Sequence, residues 1–230
     1  MTRPRVVSLV PSVTETLLAW GVTPVACTRF CEQPDLPHVG GTKDPDVAGI
    51  VELGPDLVVL CVEENRREDA DALTEAGIAT AALSIDGVAD VAPALRMLAG
   101  LVGVDPGRVQ GLDASAPVGE RLRAFVPVWK RPWMSLAGGT YGSSLLATIG
   151  VDNVFADADD RYPIVTLEEA RARRPDVVLA PSEPYPFRER HVPLLDEVAP
   201  VVLVDGQDLF WWGVRTPAAA ERLRRQLWPA

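Results

Sequence analysis

The chain is organised around the stretch Pro55-Asp56-Leu57-Val58-Val59-Leu60, which returns as Pro175-Asp176-Val177-Val178-Leu179-Ala180. A short helical pattern precedes each copy, and a glutamate, Glu63 or Glu183, lies three residues past each apolar run. An apolar run of this length behind Pro-Asp is typical of a buried strand in a parallel sheet. The repeat is much longer than a solenoid unit, so it predicts two similar lobes rather than an array.

Strands and helices alternate around both copies, which indicates an α/β fold with parallel sheets. The first half opens with a strand at 5–10, and we predict Ser12 as the N-cap of the next helix, with Glu15 completing a capping box. Residues 88–127 show helical spacing without a strand signal, including a second helix toward Phe125 that Gly111 and Pro117 are expected to kink. The predicted domains are an N-terminal lobe at 1–87, a connecting helical backbone at 88–127 and a C-terminal lobe at 128–230. We expect a ligand cleft between the lobes.

Composition narrows the function classes. The 230 residues carry a net charge of −10, which argues against nucleic acid as a partner because phosphate binding needs clustered Lys and Arg. No apolar run approaches the roughly 20 residues of a membrane span. The first predicted strand follows the N-terminus directly, without the apolar stretch of a signal peptide before it. The chain has three cysteines, an odd and low count that is not typical of a disulfide framework. As written, the chain is expected to be cytoplasmic, or extracytoplasmic if a leader was removed upstream.

Catalytic signatures are sparse. His38 and His191 stand beside prolines and are interpreted as surface residues rather than catalysts. Cys27 and Cys31 with His38 form at best a loose zinc fragment, and buried thiols are the favoured interpretation. The stretch Gly138-Gly139-Thr140-Tyr141-Gly142 opens a helix but lacks the Walker lysine, so a tight turn is favoured over a phosphate cradle. We therefore predict no enzyme, no protein-bound metal and no intrinsic cofactor.

Aromatic side chains are more informative than the titratable ones. Most of those in the second half fall in predicted loops or at strand ends, where they suit a pocket for a large planar or apolar ligand. The alternative for Trp211 and Trp212 is that they cover a sheet edge. Glu63 and Glu64 were expected to open the helix after the first repeat strand, at the carboxyl end where parallel sheets bind ligands. The stretch Ser182-Glu183-Pro184-Tyr185-Pro186-Phe187 holds the equivalent place in the second half.

Several motifs resemble the helical-backbone solute-binding proteins, a class that includes the vitamin B12- and iron–siderophore-binding components of ABC importers. The carriers are Val7-Ser8-Leu9-Val10-Pro11-Ser12-Val13-Thr14-Glu15, Val39-Gly40-Gly41, Pro55-Asp56-Leu57-Val58, Glu64-Asn65-Arg66-Arg67-Glu68 and Asn153-Val154-Phe155. The resemblance covers essentially the whole chain. It implies two lobes, a rigid connecting helix and modest closure on ligand. It also implies a permease-docking glutamate on each lobe: Glu68 is the candidate on the first, whereas Gly213 stands at the expected place on the second.

These observations predict a monomeric solute-binding protein for a metal-bearing organic complex, cobalamin or another corrinoid first and a ferric siderophore or heme second. An ABC permease is the expected partner, and neither nucleic acid nor membrane insertion is expected. The alternatives are a cytosolic chelatase-like enzyme using His38, Glu63 and Glu183, or a carrier or sensor without a permease. An anionic siderophore would need arginines, for which Arg29, Arg66, Arg161 and Arg188 are the candidates. The predicted ligand-binding residues are Pro11, Ser12, Phe30, Glu63, Glu64, Asn65, Arg66, Thr140, Tyr141, Tyr162, Glu183, Tyr185, Phe187, Phe210, Trp211 and Trp212.

Overall fold

The computed structural model describes residues 3–105, 107, 109, 111 and 120–228 of the chain. The chain divides into two compact units. Unit 1 is drawn from Met1–Ile85, Asp90–Gly111 and Trp212–Val214, and unit 2 from Asp86–Ala89, Leu112–Trp211 and Arg215–Ala230. The domain bounds predicted after residues 87 and 127 stay a prediction.

Unit 1 is built on a four-stranded parallel sheet in the order β2-β1-β3-β4. Its strands are β1 (Val6–Ser8), β2 (Ala26–Cys27), β3 (Leu57–Cys61) and β4 (Ala79–Leu83). Its helices are α1 (Pro11–Ala19), α2 (Val47–Leu53), α3 (Arg67–Glu75) and most of α4 (Val88–Leu101). The core on this sheet is aliphatic, because β1 and β3 are buried along their whole length as the apolar pattern predicts.

Unit 2 contains a second parallel sheet in the order β10-β9-β5-β8 and a separate antiparallel hairpin, β6-β7. The sheet strands are β5 (Leu122–Phe125), β8 (Val151–Asn153), β9 (Val177–Pro181) and β10 (Val201–Val204). The hairpin strands are β6 (Pro127–Lys130) and β7 (Trp133–Ser135). The helices are α5 (Tyr141–Thr148), α6 (Leu167–Ala172), α7 (Val192–Leu195), α8 (Gly206–Phe210) and α9 (Thr216–Leu227).

The two sheets have the same topology. Counted in chain order within each unit, the strands lie second-first-third-fourth across the sheet in both. The Pro-Asp stretch supplies the third strand each time, β3 in unit 1 and β9 in unit 2. The predicted fold class, two α/β units with parallel sheets of similar topology, is confirmed.

A repeated pair of polar contacts explains the Pro-Asp stretch, and we call it the Arg–Asp latch. In unit 1 the Arg5 N–H donates to Asp56 Oδ2 (2.7 Å), and the Arg5 guanidinium donates to the Leu53 carbonyl at the end of α2 (2.7 Å). In unit 2 the Arg123 N–H donates to Asp176 Oδ2 (2.8 Å), and the Arg123 guanidinium donates to carbonyls just after α6. Each latch joins the start of the first strand to the start of the third and satisfies the last carbonyls of a helix.

The helices before the Pro-Asp stretches begin and end as their sequences predict. Asp46 caps α2 by accepting from the Gly49 N–H (3.0 Å), and Gly54 ends it in the left-handed region that glycine tolerates best. Thr166 and Glu169 form a reciprocal capping box at the start of α6.

Three expectations about secondary structure were wrong. Helix α1 begins two residues earlier than predicted, with Val10 as N-cap and Pro11 in its first turn, so Ser12 lies inside the helix and makes no capping hydrogen bond. Leu122–Phe125 is the strand β5 rather than the end of a helix, because its pairing with β8 and β9 outweighs local spacing. Glu63 and Glu64 lie in a turn, since α3 begins at Arg67. The predicted kink at Pro117 lies outside the described residues.

Candidate functional site

The carboxyl edge of the unit 1 sheet is tied together by Asn65. Its side chain is buried, and its Oδ1 accepts from the Cys61 N–H at the end of β3 (2.7 Å). Its Nδ2 donates to the carbonyls of Leu9, after β1 (3.2 Å), and Thr42, in the loop after β2 (2.9 Å). Three loops at the edge where parallel sheets bind ligands are therefore held by one amide. Asn65 positions this edge, and a direct contact between Asn65 and a ligand stays a prediction.

Phe30 is presented at this same edge on the loop after β2. The ring is half exposed, and the Arg29 guanidinium lies 4.7 Å from its centroid. Asp44 accepts from Arg29 at 3.0 Å and holds the guanidinium in place. A Cβ at Gly41 would lie 2.4 Å from the Asp44 carboxylate and 2.7 Å from the Arg29 guanidinium, so a larger residue there would displace the ends of these two side chains. The geometry displays an aromatic face and an arginine together on the surface of unit 1.

The first turn of α1 carries the predicted residues Pro11 and Ser12, and both are buried. Within the described part of the chain the Ser12 hydroxyl has no hydrogen-bond partner, although its oxygen is shielded from solvent. Gly213 packs close to this turn, because a Cβ at Gly213 would lie 3.4 Å from the Ser12 carbonyl and 2.4 Å from Thr16 Oγ1. The Val214 N–H donates to Thr16 Oγ1 (3.3 Å), and Gly213 has a φ of 128°. No side chain, and so no docking carboxylate, fits at Gly213 without displacing Thr16.

In unit 2, five rings form a continuous cluster that we call the aromatic platform. It comprises Trp129, Trp133, Tyr185, Phe187 and His191. Trp129 meets Tyr185 edge-on at 5.6 Å, and Trp133 stacks on Phe187 at 6.1 Å with an interplanar angle of 5°. Tyr185 in turn lies 4.8 Å from Phe187 and 5.5 Å from His191. The hairpin β6-β7 and the loop after β9 thus bring their aromatic residues into one cluster.

The solvent exposure of the rings increases from a buried base of the platform to an exposed rim. Phe187 and His191 are buried, Tyr185 and Trp133 are partly exposed, and Trp129 is 43% exposed. A rigid ring supported from beneath by other rings offers large contact area at low cost in conformational entropy. This is the kind of surface that suits a flat apolar ligand.

His191 keeps the base of the platform uncharged. Its Nδ1 accepts from the Arg188 N–H (3.0 Å), and burial, followed by the charges of Lys130, Arg190 and Arg188, lowers the pKa of its imidazole. The neutral ring is therefore favoured at neutral pH. The expectation that His191 is a surface residue was wrong, because the turn before α7 folds its ring onto Tyr185 and Phe187.

Two further aromatic residues of unit 2 lie at the C-terminal end of α8. Phe210 and Trp211 are partly buried, and the Arg215 guanidinium lies 5.0 Å from the Trp211 ring. Asp208 is buried and accepts from Arg222 Nε (2.6 Å) and Arg215 Nη1 (3.4 Å). This ion-pair network fixes the arginine that covers Trp211.

Of the remaining predicted ligand-binding residues, some make internal contacts and others are described by their exposure to solvent. Thr140 caps α5 by accepting from the Ser143 N–H (3.4 Å), and the buried Tyr141 hydroxyl hydrogen-bonds Thr216 Oγ1 (2.9 Å). Burial raises the pKa of Tyr141 well above its usual range. Glu183 packs against Gly206, where a Cβ would come within 2.4 Å of it. The partly exposed residues are Glu63, Glu64 and Tyr162, the exposed ones are Arg66 and Glu68, and Trp212 is buried in unit 1. Their contacts with a ligand stay a prediction.

Sequence reasoning missed Trp129 and Trp133. Both flank the turn Lys130-Arg131-Pro132, and the Lys130 ammonium lies 5.8 Å from the Trp133 ring. Two tryptophans on either side of a Pro-containing turn are a signal for a hairpin that displays aromatic residues. The helical spacing of residues 88–127, which runs up to the edge of this hairpin, obscures that signal.

Metal-ligating groups do not come together in the residues that the structure describes: no cluster of three or more His, Cys, Asp or Glu side chains is placed to hold a metal ion. Cys27, Cys31 and Cys61 are all buried free thiols, as the favoured interpretation predicted. Over the same residues, none of the helices has the length and apolar character needed to cross a membrane.

Comparison with known proteins shows that the chain is similar to binding proteins. A vitamin B12-binding protein of Salmonella choleraesuis is 28% identical over an alignment of 191 residues, and the match covers 76% of this chain and 71% of that protein. The predicted family resemblance is confirmed. No known family profile matches the chain.

Solved structures extend the likeness to nearly the full chain. The periplasmic vitamin B12-binding protein BtuF of Vibrio cholerae superposes with a TM-score of 0.80 at 20% identity, covering 98% of this chain and 97% of that one. The periplasmic heme-binding protein BhuT, solved with two hemes, gives a TM-score of 0.81 at 22% identity and covers 97% of both chains. At these identities the two structures establish the shared fold.

Proposed function

We propose that the chain is a solute-binding protein for a large, flat, metal-bearing organic complex, with a corrinoid such as cobalamin first and heme or a ferric siderophore second. The aromatic platform of unit 2 carries the proposal. Its exposed rim at Trp129 is supported by Tyr185 and Phe187, and its base holds an imidazole whose neutral form is favoured. Such a surface binds by apolar contact and excludes water, and it has little to offer a small polar ligand.

At Phe30 and Trp211, which lie outside the platform, the neighbouring arginines are already paired, and this favours a corrinoid over an anionic complex at these two rings. Arg29 beside Phe30 is engaged by Asp44, and Arg215 beside Trp211 is engaged by Asp208. A carboxylate-rich ferric siderophore would compete with these aspartates for the guanidinium groups. The names of the related proteins, a vitamin B12-binding protein and a heme-binding protein, support both a corrinoid and heme as ligand classes.

An ABC importer is the partner we propose, with the protein acting outside the cytoplasm. Glu68 is exposed in the first turn of α3, where a permease arginine has access to it. At Gly213, by contrast, a Cβ would lie 2.4 Å from Thr16 Oγ1, so a second docking carboxylate would have to come from another residue. The periplasmic location of the two structural relatives supports the extracytoplasmic placement. Fractionating cells that make the full-length gene product tests it, and recovery only with cytosolic markers would overturn it.

Ligand titration tests the central proposal. The purified chain is titrated with cyanocobalamin, cobinamide, heme and a ferric hydroxamate while tryptophan fluorescence is followed, because Trp129 and Trp133 lie in the platform. We expect saturable quenching by the corrinoids at the lowest concentrations. Binding of bare divalent metal with no response to any organic complex would instead support a chelatase-like activity and overturn the proposal.

Replacing the platform rim localises the binding. Trp129→Ala is expected to weaken corrinoid binding by about 30-fold, since loss of a rigid aromatic anchor costs about 2 kcal/mol. Met97→Ala is the matched control: Met97 is a comparably exposed apolar side chain, and it lies on α4 in unit 1. Equal affinities for Trp129→Ala and Met97→Ala would show that the platform does not bind the ligand.

A further inference from the structure

Four basic side chains lie on the two segments that build the aromatic platform. We call them the basic border, and they are Lys130, Arg131, Arg188 and Arg190. The first two belong to the hairpin β6-β7 and the other two to the loop after β9, so the segments that carry the rings also carry the cations. Lys130 is partly buried, and the three arginines are exposed. Apolar contact between the platform and a flat ring uses none of these charges.

The border approaches the platform from both segments. On the hairpin, the Lys130 ammonium lies 5.8 Å from the Trp133 ring. On the loop, Arg190 Nε lies 3.3 Å from His191 Nε2, and the Arg188 N–H donates to His191 Nδ1 at 3.0 Å. One further ring, 6.1 Å from Trp133 and 5.7 Å from His191, joins these two sides of the platform. The cations of both segments therefore surround the same cluster of rings.

The charges of the border are not neutralised within the protein. Across the described residues, no carboxylate lies within ion-pair distance of any of the four cations. Many other arginines of unit 2 are ion-paired, among them Arg121, Arg161, Arg171, Arg173, Arg215, Arg222, Arg224 and Arg225. Glu189 stands between Arg188 and Arg190 and is exposed, so positive charge remains in excess there. These unpaired cations are available to a bound anion.

The hairpin holds its part of the border on a well-supported backbone. Strand β7 pairs with β6, and it is also bonded to the segment at 163–165, since the Val165 N–H donates to the Trp133 carbonyl at 3.0 Å. Arg131, in the turn, has a φ of 145°, which residues other than glycine rarely adopt. Backbone strain of this kind persists where the surrounding structure fixes it, and it is concentrated in ligand-binding segments.

We propose that the basic border binds an anionic substituent, a phosphate or carboxylate group, at the edge of the flat ligand whose ring lies on the aromatic platform. The inference rests on the proposed function and adds to it a chemical requirement on the ligand. Guanidinium and ammonium groups donate charge-assisted hydrogen bonds to phosphate and carboxylate oxygens. A complete cobalamin carries a phosphodiester in its nucleotide loop, and heme carries carboxylates. Both ligand classes therefore offer the chemistry that the border recognises.

Two pairs of ligands separate these two sources of negative charge. Cyanocobalamin has the phosphodiester that dicyanocobinamide lacks, and heme has the carboxylates that its dimethyl ester lacks. All four are titrated against the parent protein and the double variant Lys130→Gln/Arg190→Gln at about 50 mM NaCl, where screening is weak. Tryptophan fluorescence reports binding, with the same small fraction of dimethyl sulfoxide in every titration.

We expect the double variant to bind the anionic member of at least one pair about fivefold more weakly, since each exposed cation contributes up to a few-fold. The member without the anion should keep its affinity. In the parent protein, raising NaCl to about 0.5 M should remove the same advantage of the anionic member. Arg96→Gln is the matched control, because Arg96 is an exposed arginine on α4 in unit 1 that makes no ion pair with a described carboxylate.

Each outcome has a distinct meaning. A loss confined to the corrinoid pair identifies the phosphodiester as the bound group, and a loss confined to the heme pair identifies the carboxylates. The inference is overturned if the double variant leaves the affinity ratio within both pairs unchanged, or if Arg96→Gln has the same effect. Such results leave the proposed function standing as long as the parent protein binds a ligand. If the parent protein binds none of the four, the proposed function fails and this inference falls with it.

Discussion

Removing the carboxylate of Asp208 is expected to destabilise the protein far more than removing that of Glu221, although both pair with arginines of α9. Asp208 is only 4% exposed and accepts from Arg222 Nε at 2.6 Å. Glu221 instead accepts from Arg224 and Arg225 on the solvent side of the same helix, and these arginines lower the pKa of its carboxyl. The two substitutions, Asp208→Ala and Glu221→Ala, therefore separate a buried ion pair from surface ones.

The magnitude follows from how much of each arginine is exposed. Arg215 has 15% of its side chain exposed, so it stays largely desolvated when the carboxylate is removed, whereas Arg222 is 52% exposed and is rehydrated. Breaking a buried pair costs roughly 3–5 kcal/mol, and the exposure of Arg222 places Asp208→Ala near the lower end, at about 3 kcal/mol. Loss of the surface pairs of Glu221 costs far less, because water replaces the arginines around its carboxylate.

Thermal unfolding followed by near-UV circular dichroism measures both changes. For a chain of this length about 1 kcal/mol corresponds to roughly 2–4 °C in Tm, so Asp208→Ala should lower Tm by about 6–12 °C and Glu221→Ala by less than about 2 °C. Asp208→Asn, which keeps the shape but not the charge, should fall between the two. Equal shifts for the two alanine variants would refute the argument that burial makes the Asp208 network costly to break.

Three further changes test other features. Asp56→Ala and Asp176→Ala should each cost about 1–2 kcal/mol in urea unfolding, since each removes a charge-assisted hydrogen bond of an equivalent latch; a cost confined to one of them would show that the latches are not equivalent. The depressed pKa of His191 predicts stability that is present above pH 6.5, the unfolded value, and is lost as pH falls through the folded value, so His191→Phe should flatten the dependence of Tm on pH below about 6.5. Gly213→Ala should destabilise the protein by at least about 2 kcal/mol because its Cβ meets Thr16 Oγ1, and adding Thr16→Ala should recover part of the loss; no recovery would assign the cost to the backbone alone.

The fold was largely predictable because its main signal is local and repeated. The apolar runs at Leu57–Cys61 and Val177–Pro181 are buried strands that can be recognised from their apolar character alone. Because the second run repeats the first, the sequence predicts two similar lobes. Strand β5 was not predicted because Leu122–Phe125 forms a strand through its pairing with β8 and β9, which come later in the chain.

The chemical character of the site was predictable from the sequence, but the set of residues that form it was not. Aromatic residues in loops indicated an apolar ligand surface, and Tyr185 and Phe187 lie in the platform. Trp129 and Trp133 join them only because the hairpin packs beside the loop after β9, which no local pattern encodes. Other predicted residues, such as Asn65 and Tyr141, make internal hydrogen bonds that a sequence does not reveal.

The Arg–Asp latch also bears on the order in which the chain acquires its structure. Each latch spans a similar length of chain, since Asp56 lies 51 positions after Arg5 and Asp176 lies 53 positions after Arg123. Every atom of the first latch exists once residue 56 has been synthesised, 120 residues (176 − 56) before Asp176 is made. A long-range contact that joins the start of the first strand to the start of the third is thus available early to the first sheet and independently to the second. Translation or export from the N-terminus would therefore allow the first sheet to close while the second is still being supplied.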